Sequence, residues 1–456
     1  MTDKRLLLAG GALAVAVAGG VLGPVVGALL IGVFVLAYTV PRNGCLAIVG
    51  YIAVRPLVDS FVHTRVDLGI VRPGLGKIWG TGLVVLLTIY VIRERPRRAD
   101  LRAYTIPIVF AITYAAVTLT RPGISIALTN GSRLVSWLAL IYVIDSGARN
   151  AVTQRRIVEL MYVAASLEVV AVGVAVIRNR YGSTYYDLTL NTLTDQTPFV
   201  YAVFSALMLP FLFLAVLMGA PKTLPLVLAG LLGGCVILSY SRASYAAAAF
   251  IVAVVIVVGI KSRGRAGSLA LAGGALLGLA GIAAVLVHGR VASRFAHGSP
   301  RLDLWSEILH GAFHSPVHVL VGGGATFSRA IDFHARGVGY WSHNDFLEVF
   351  VAGGALLFVL YLALLGWLGW TVLRVVRDPR QSSGVRDFGV VALAALISFV
   401  MVSFFDGIIF YAPALMLALV AGLARAAHAV PGATVLDVPL REAAPAHRLP
   451  VAPALL

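Results

Sequence analysis

Long apolar runs separated by short polar breaks dominate the chain. One follows Lys4-Arg5 and a second begins near Pro24. Further runs occupy about 44–62, 76–92, 103–120, 134–144, 157–177, 199–218, 224–238, 245–260, 268–287, 346–372, 388–404 and 408–424. Most approach the ~20 residues that a helix needs to cross a hydrocarbon core. The pattern predicts an all-α, polytopic transmembrane bundle of about 12–14 spans. The first run has the charge and length of a cleaved signal peptide, but the second follows at once, which favours a retained first helix.

Composition sharpens this reading. The 456 residues are 59% hydrophobic and only 12% charged, and the mean hydropathy is +0.92. These values exclude a water-soluble enzyme, a disordered protein and a small disulfide scaffold. Cys45 and Cys235 both lie inside apolar runs and form no metal-ligand pattern. The net charge of +16 would raise nucleic acid as a partner in a soluble protein. Here most of the basic residues fall in alternate short connections, among them Arg93 to Arg102, Arg149 to Arg156, Lys261 to Arg265, Arg374 to Arg386 and Arg425. The positive-inside rule accounts for these without nucleic acid and puts both termini in the cytoplasm. Arg65, Arg72, Arg121 and Arg133 depart from the alternation.

The sequence divides into N-terminal transmembrane helices (1–223), a second helical part (224–428) and a proline-bearing cytoplasmic tail (429–456) that reads as disordered. Two loops face the opposite side, at about 178–198 and 288–345. The longer one holds seven of the ten histidines and five arginines. Basic residues there oppose the topology rule, so insertion does not explain them. Long loops with their own polar chemistry are more often functional than structural.

Three places carry candidate chemistry. Ser239-Tyr240-Ser241-Arg242 leaves only a tight outer turn between two runs, which puts Arg242 at or just below the membrane surface. A guanidinium there is expensive unless it lines a cavity or snorkels to lipid phosphates. Pro300-Arg301 then opens a segment with Leu302, Trp305, Ile308 and Leu309 at helical spacing, which predicts an amphipathic helix on the outer surface. Arg301 in its first turn opposes the helix dipole, so stability does not explain the choice. Gly322-Gly323-Gly324 follows, a turn whose amides could cradle an anionic oxygen. Finally His343-Asn344-Asp345 leads into an apolar run. His343 suits proton transfer near neutral pH, and Asp345 or Glu348 could orient it; the alternative is a helix-capping role. His310, His314 and His318 recur at fourfold spacing, as a zinc site would, but Pro316 interrupts their face.

Together, Ser239 to Arg242, Arg301 with Trp305 and Gly322 to Gly324, and His343 to Glu348 followed by Gly353-Gly354 resemble the O-antigen ligase and O-antigen polymerase superfamily of bacterial polytopic membrane glycosyltransferases. The resemblance covers about 225–372. It implies that 224–428 is a catalytic core that transfers or polymerises a glycan from a polyprenyl (undecaprenyl-type) pyrophosphate donor. The acceptor would be a glycan, lipid or protein hydroxyl, and the outcome inverting and metal-independent, with no cofactor. The setting would be the bacterial cytoplasmic membrane, with the active site facing the periplasm or cell exterior in cell-envelope polysaccharide biosynthesis. Arg242 and Arg301 match the family's pyrophosphate-holding arginines, and His343 its base. Arg290, Arg294, Tyr240 and Asn344 stand as candidate substrate contacts. The motifs do not separate ligase from polymerase; a polymerase or general ligase without a lipopolysaccharide core as acceptor is slightly favoured.

Two rivals predict different patterns. A transporter or flippase would show an internal repeat with matching broken helices, whereas the polar residues here gather on one face. A serine hydrolase would need a nucleophile elbow, and Ser239, Ser241, Ser244 and Ser342 lack that context.

Overall fold

A computed structural model of the chain describes residues 44–56, 75–96, 101–121, 124–177, 198–217, 223–238, 242–263, 301–325, 343–405, 407–410 and 412–429. The runs before residue 44, the run at 268–287, the loop at 178–198 up to its last residue, and the tail after Ala429 lie outside the described residues. All regular structure among the described residues is helical. The helices are α1 (Gly44–Ala53), α2 (Leu75–Glu94), α3 (Thr105–Leu119), α4 (Ile124–Gly147), α5 (Ala151–Ile177), α6 (Pro198–Leu217) and α7 (Thr223–Leu238). They continue with α8 (Arg242–Arg263), α9 (Arg301–Phe313), α10 (Pro316–Val321), α11 (Asp345–Arg377), α12 (Ser383–Phe405) and α13 (Ala412–Ala429). Four of them, α4, α11, α12 and α13, are long and apolar enough to cross a membrane by length and composition. The short run at 134–144 proves to be the core of the longer α4. Helices are the expected solution, because an apolar medium leaves backbone polar groups no partner outside their own segment.

The bundle is organised around α13, which packs against α4, α6, α11 and α12 and is buried on nearly every face. A helix apolar all round belongs in such a central position. Small residues let its neighbours approach closely, as they do between membrane helices. Gly422 is the tightest example: a Cβ there would lie 2.7 Å from Ile144 Cβ and 3.1 Å from the Ile141 carbonyl oxygen on α4. Gly422→Ala is therefore expected to push α4 and α13 apart at a cost of about 1–3 kcal/mol. Thermal denaturation in detergent checks this, with Gly366→Ala as the control, since a Cβ at Gly366 meets nothing within 4 Å.

One end of the bundle is pinned by a buried ion pair. Arg425 Nε on α13 donates to Asp145 Oδ2 on α4 at 2.9 Å, and the Tyr104 hydroxyl donates to the same oxygen. The guanidinium lies 4.9 Å from the Tyr104 ring centroid and 5.5 Å from that of Trp367, while Nη1 reaches Thr371 at 3.4 Å. Trp367 in turn donates to the Ala103 carbonyl at 3.0 Å. Arg425 thus does more than bias topology: it ties α4, α11, α13 and the approach to α3 into one knot. Just beyond it, Arg380 Nε bonds Asp378 at 3.1 Å and holds that carboxyl down to about 2, so the turn between α11 and α12 stays ionised at neutral pH.

Candidate active site

At the opposite end, α11 is not one straight helix. Gly354 has φ 66 and ψ −164, which breaks it into a half-helix over 345–353 and a span over 355–377. The break is sharp enough to bring Phe346 back against Tyr361, with ring centroids 5.3 Å apart. Fifteen residues of continuous helix would separate them by about 22 Å.

The glycine turn explains how the break is tolerated. Gly323 N donates to the Val351 carbonyl at 2.8 Å and Gly324 N to the Ala352 carbonyl at 3.1 Å, while Gly322 N caps α10 through His318 O at 2.9 Å. All three amides are spent on protein carbonyls, and the first two complete the C-terminus of the half-helix. This corrects the expectation of an anion cradle. The approach is backbone on backbone: a Cβ at Gly322 (φ 71) would fall 2.4 Å from the Ala352 carbonyl carbon.

Helix α9 packs along this half-helix. Leu304, Ile308 and Ala312 are buried against Leu347 and Val351, with Trp305, Leu309 and Phe350 beside them. Of the expected stripe, Trp305, Ile308 and Leu309 line this contact, and Leu304 and Ala312 join them. Trp305, near the start of α9, meets Phe404, which also meets Phe346 near the start of the half-helix; farther along, Phe313 meets Phe350. The two helices run parallel, and both begin at the same end. α8 lies alongside α12, with Ser398 Oγ donating to Ala247 O at 3.2 Å. Arg301 opens α9, at the end where the half-helix starts, and Arg242 opens α8. Their side chains lie outside the described set, as do Tyr240, Arg290 and Arg294.

His343 itself is half-buried and has φ 49, a left-handed backbone that a histidine adopts at a cost of about 1–3 kcal/mol. It does not cap α11. That role falls to Asn344, whose Oδ1 accepts from Leu347 N at 3.0 Å. Asp345 is 1% exposed and does not serve His343 directly: its Oδ2 accepts from Ile408 N at 3.0 Å and Ile409 N at 2.9 Å in the turn between α12 and α13. Glu348 is buried and in electrostatic contact with Tyr114 on α3, whose hydroxyl is partnered by Asn130 on α4. Tyr114 and Asn130 escaped sequence reasoning, since a lone polar residue in an apolar run carries no pattern.

His310 and His314 lie with ring centroids 5.5 Å apart, but α9 ends at Phe313 and α10 restarts at Pro316, so the three histidines share no continuous helix. Among the described residues no group of three His, Cys, Asp or Glu side chains could hold a metal ion.

Residues 226–362, under a third of the chain, match the family model described as O-antigen ligase. No curated protein matches the chain. The matched stretch runs from α7 past the break in α11, and so includes the starts of α8 and α9, the glycine turn, His343 and the half-helix. Through this segment the chain is similar to the O-antigen ligase superfamily, whose members are membrane glycosyltransferases of polysaccharide assembly.

Proposed function

We propose that the protein transfers or polymerises a glycan from a polyprenyl (undecaprenyl-type) pyrophosphate onto an acceptor hydroxyl at the extracytoplasmic face of a bacterial cytoplasmic membrane. His343 takes the hydroxyl proton, the oxygen attacks the anomeric carbon from the face opposite the leaving group, and the bond to the pyrophosphate breaks with its electron pair. The anomeric configuration inverts. Arg242 and Arg301 hold the pyrophosphate, and Arg290, Arg294, Tyr240 and Asn344 contact donor or acceptor.

The observation that carries this reading is the shared start of α9 and the half-helix beside His343. Helix N-termini carry partial positive charge and unpaired amides, and α8 and α9 both begin with arginine. A departing pyrophosphate gains charge as the glycosidic bond breaks, so fixed positive groups in a partly dry site stabilise the transition state more than the ground state. They supply the neutralisation for which other glycosyltransferases recruit a divalent cation, which supports metal-independent transfer. The second part of the chain, 224–428, is then the catalytic core.

The test is complementation of a deletion strain with wild type, His343→Ala and Arg242→Ala at matched membrane levels, reading surface and polyprenyl-linked glycans. His343→Ala is expected to lower transfer by about a hundredfold or more, with the lipid-linked donor accumulating on the outer leaflet. A ladder that collapses to single units identifies polymerisation; a missing final attachment identifies ligation. Unchanged surface glycan with both variants overturns the reading. The break in α11 also suits a transporter, whose binding helices are discontinuous. In that case the donor accumulates on the inner leaflet instead.

A further inference from the structure

The start of α11 is held from two directions, and only one of them is local. Asn344 closes the helix from within, whereas Asp345 reaches across 63 and 64 residues to the amides of Ile408 and Ile409. Both bonds fall on Oδ2. Oδ1 is buried, faces Gly407 closely enough that a Cβ there would lie at 3.6 Å, and has no hydrogen-bond partner among the described residues. The Ser403 hydroxyl at the end of α12 and the Tyr361 hydroxyl on α11 are likewise buried, and Ser403 lies close to both Asp345 and Tyr361. Helix capping is complete without Asp345, whose carboxyl is instead spent on two buried amides of another turn. A buried carboxyl kept here must do something that capping does not.

We infer that Asp345 is a positioning residue: its carboxyl latches the start of the half-helix to the turn at 407–410 and so holds His343, two residues upstream, in its left-handed backbone conformation toward the acceptor. This rests on the reading of His343 as the base. The latch works through acceptor geometry. Two convergent amides fix Oδ2, and with it the direction in which the chain leaves the helix at Asn344. Without them the segment before α11 relaxes to an ordinary backbone and the imidazole turns away. A misplacement of about 1 Å is enough to cost on the order of a hundredfold in rate.

The experiment uses the full chain with two independent readouts. The first is diethylpyrocarbonate modification of His343 in purified, nanodisc-embedded protein, read by peptide mass spectrometry as a ratio to the exposed His310 and His314 in the same molecule. The second is surface glycan in complemented cells. Asp345→Ala is expected to raise the His343 ratio by about fivefold or more, the factor that corresponds to releasing the backbone strain, and to lower surface glycan by about tenfold or more. Asp345→Asn, whose carboxamide oxygen can accept the same two amides, is expected to restore both toward wild type. An unchanged ratio in Asp345→Ala overturns the latch whatever the glycan does. A raised ratio with normal glycan, or Asp345→Asn behaving like Asp345→Ala, overturns it as well. If Asp345→Ala fails to accumulate, Asp345→Glu, which displaces the carboxyl by one methylene, decides on the same readouts. Normal glycan in His343→Ala would sink the base assignment alone, since the modification ratio still reports whether Asp345 holds His343.

Discussion

Replacing Gly354 with alanine is expected to cost about 2–5 kcal/mol and to abolish glycan transfer, although residue 354 lies at the far end of the half-helix from His343. Two effects add. A φ of 66 carries a penalty of about 1–2 kcal/mol for any residue with a Cβ. The Cβ would also sit 2.3 Å from the Leu320 carbonyl carbon and 2.5 Å from Val321 N, and these are backbone atoms of α10 that cannot rotate aside. The turn must then leave the half-helix, exposing the Val351 and Ala352 carbonyls that Gly323 and Gly324 now satisfy. Unsatisfied carbonyls in an apolar setting oppose any partial solution. Gly322→Ala breaks the same contact from the other side, so the double variant should cost clearly less than the two single costs combined. Thermal unfolding in detergent gives the stabilities and the complementation assay gives transfer. A Gly354→Ala protein with wild-type midpoint and normal surface glycan would refute the backbone-contact account.

Arg425→Ala is expected to destabilise the bundle by about 3–5 kcal/mol, because it strands the Asp145 carboxylate, 9% exposed, beside only the Tyr104 hydroxyl. Asp145→Ala should do similar damage by leaving a guanidinium between two aromatic rings. The pair is expected to be weak as a stabiliser in its own right. A double replacement by Asp145→Leu and Arg425→Met removes both charges together and should recover most of the loss, since a buried ion pair and an apolar isostere of similar volume are often nearly equivalent. The measurement is a double-mutant cycle on the unfolding midpoint. Two single variants within about 1 kcal/mol of wild type would show that water reaches the pair.

Helix existence was legible in the sequence, because every apolar run inside the described residues became a helix and hydrophobic periodicity is a local property. The candidate site was legible as a set of motifs for the same reason: Arg242, Arg301 and His343 each stand beside a break between apolar runs. What could not be read was long-range pairing. Gly353-Gly354 inside an apolar run fits a straight membrane helix as well as a broken one, and the choice is made by Gly322 to Gly324, thirty residues earlier. Arg425 looked like a topology charge because its partner Asp145 is 280 residues away. Asp345 looked like a neighbour for His343, but the amides it seeks belong to the turn before α13. On α9 the expected Trp305, Ile308 and Leu309 do line the contact, whereas Leu304 and Ala312 went unforeseen, since their counterpart is a half-helix that local spacing does not reveal.

The half-helix is fastened at both ends, by Asp345 to Ile408 and Ile409 and by Val351 and Ala352 to the glycine turn. Its nine residues, about 13 Å long, therefore act as a spacer of set length between two fixed points. Inserting or deleting a single residue between them would turn one end by about 100° relative to the other, and both fastenings could no longer close together. The segment can exchange apolar side chains of similar volume while admitting no change in length, so drift in this part of the protein is confined to substitution.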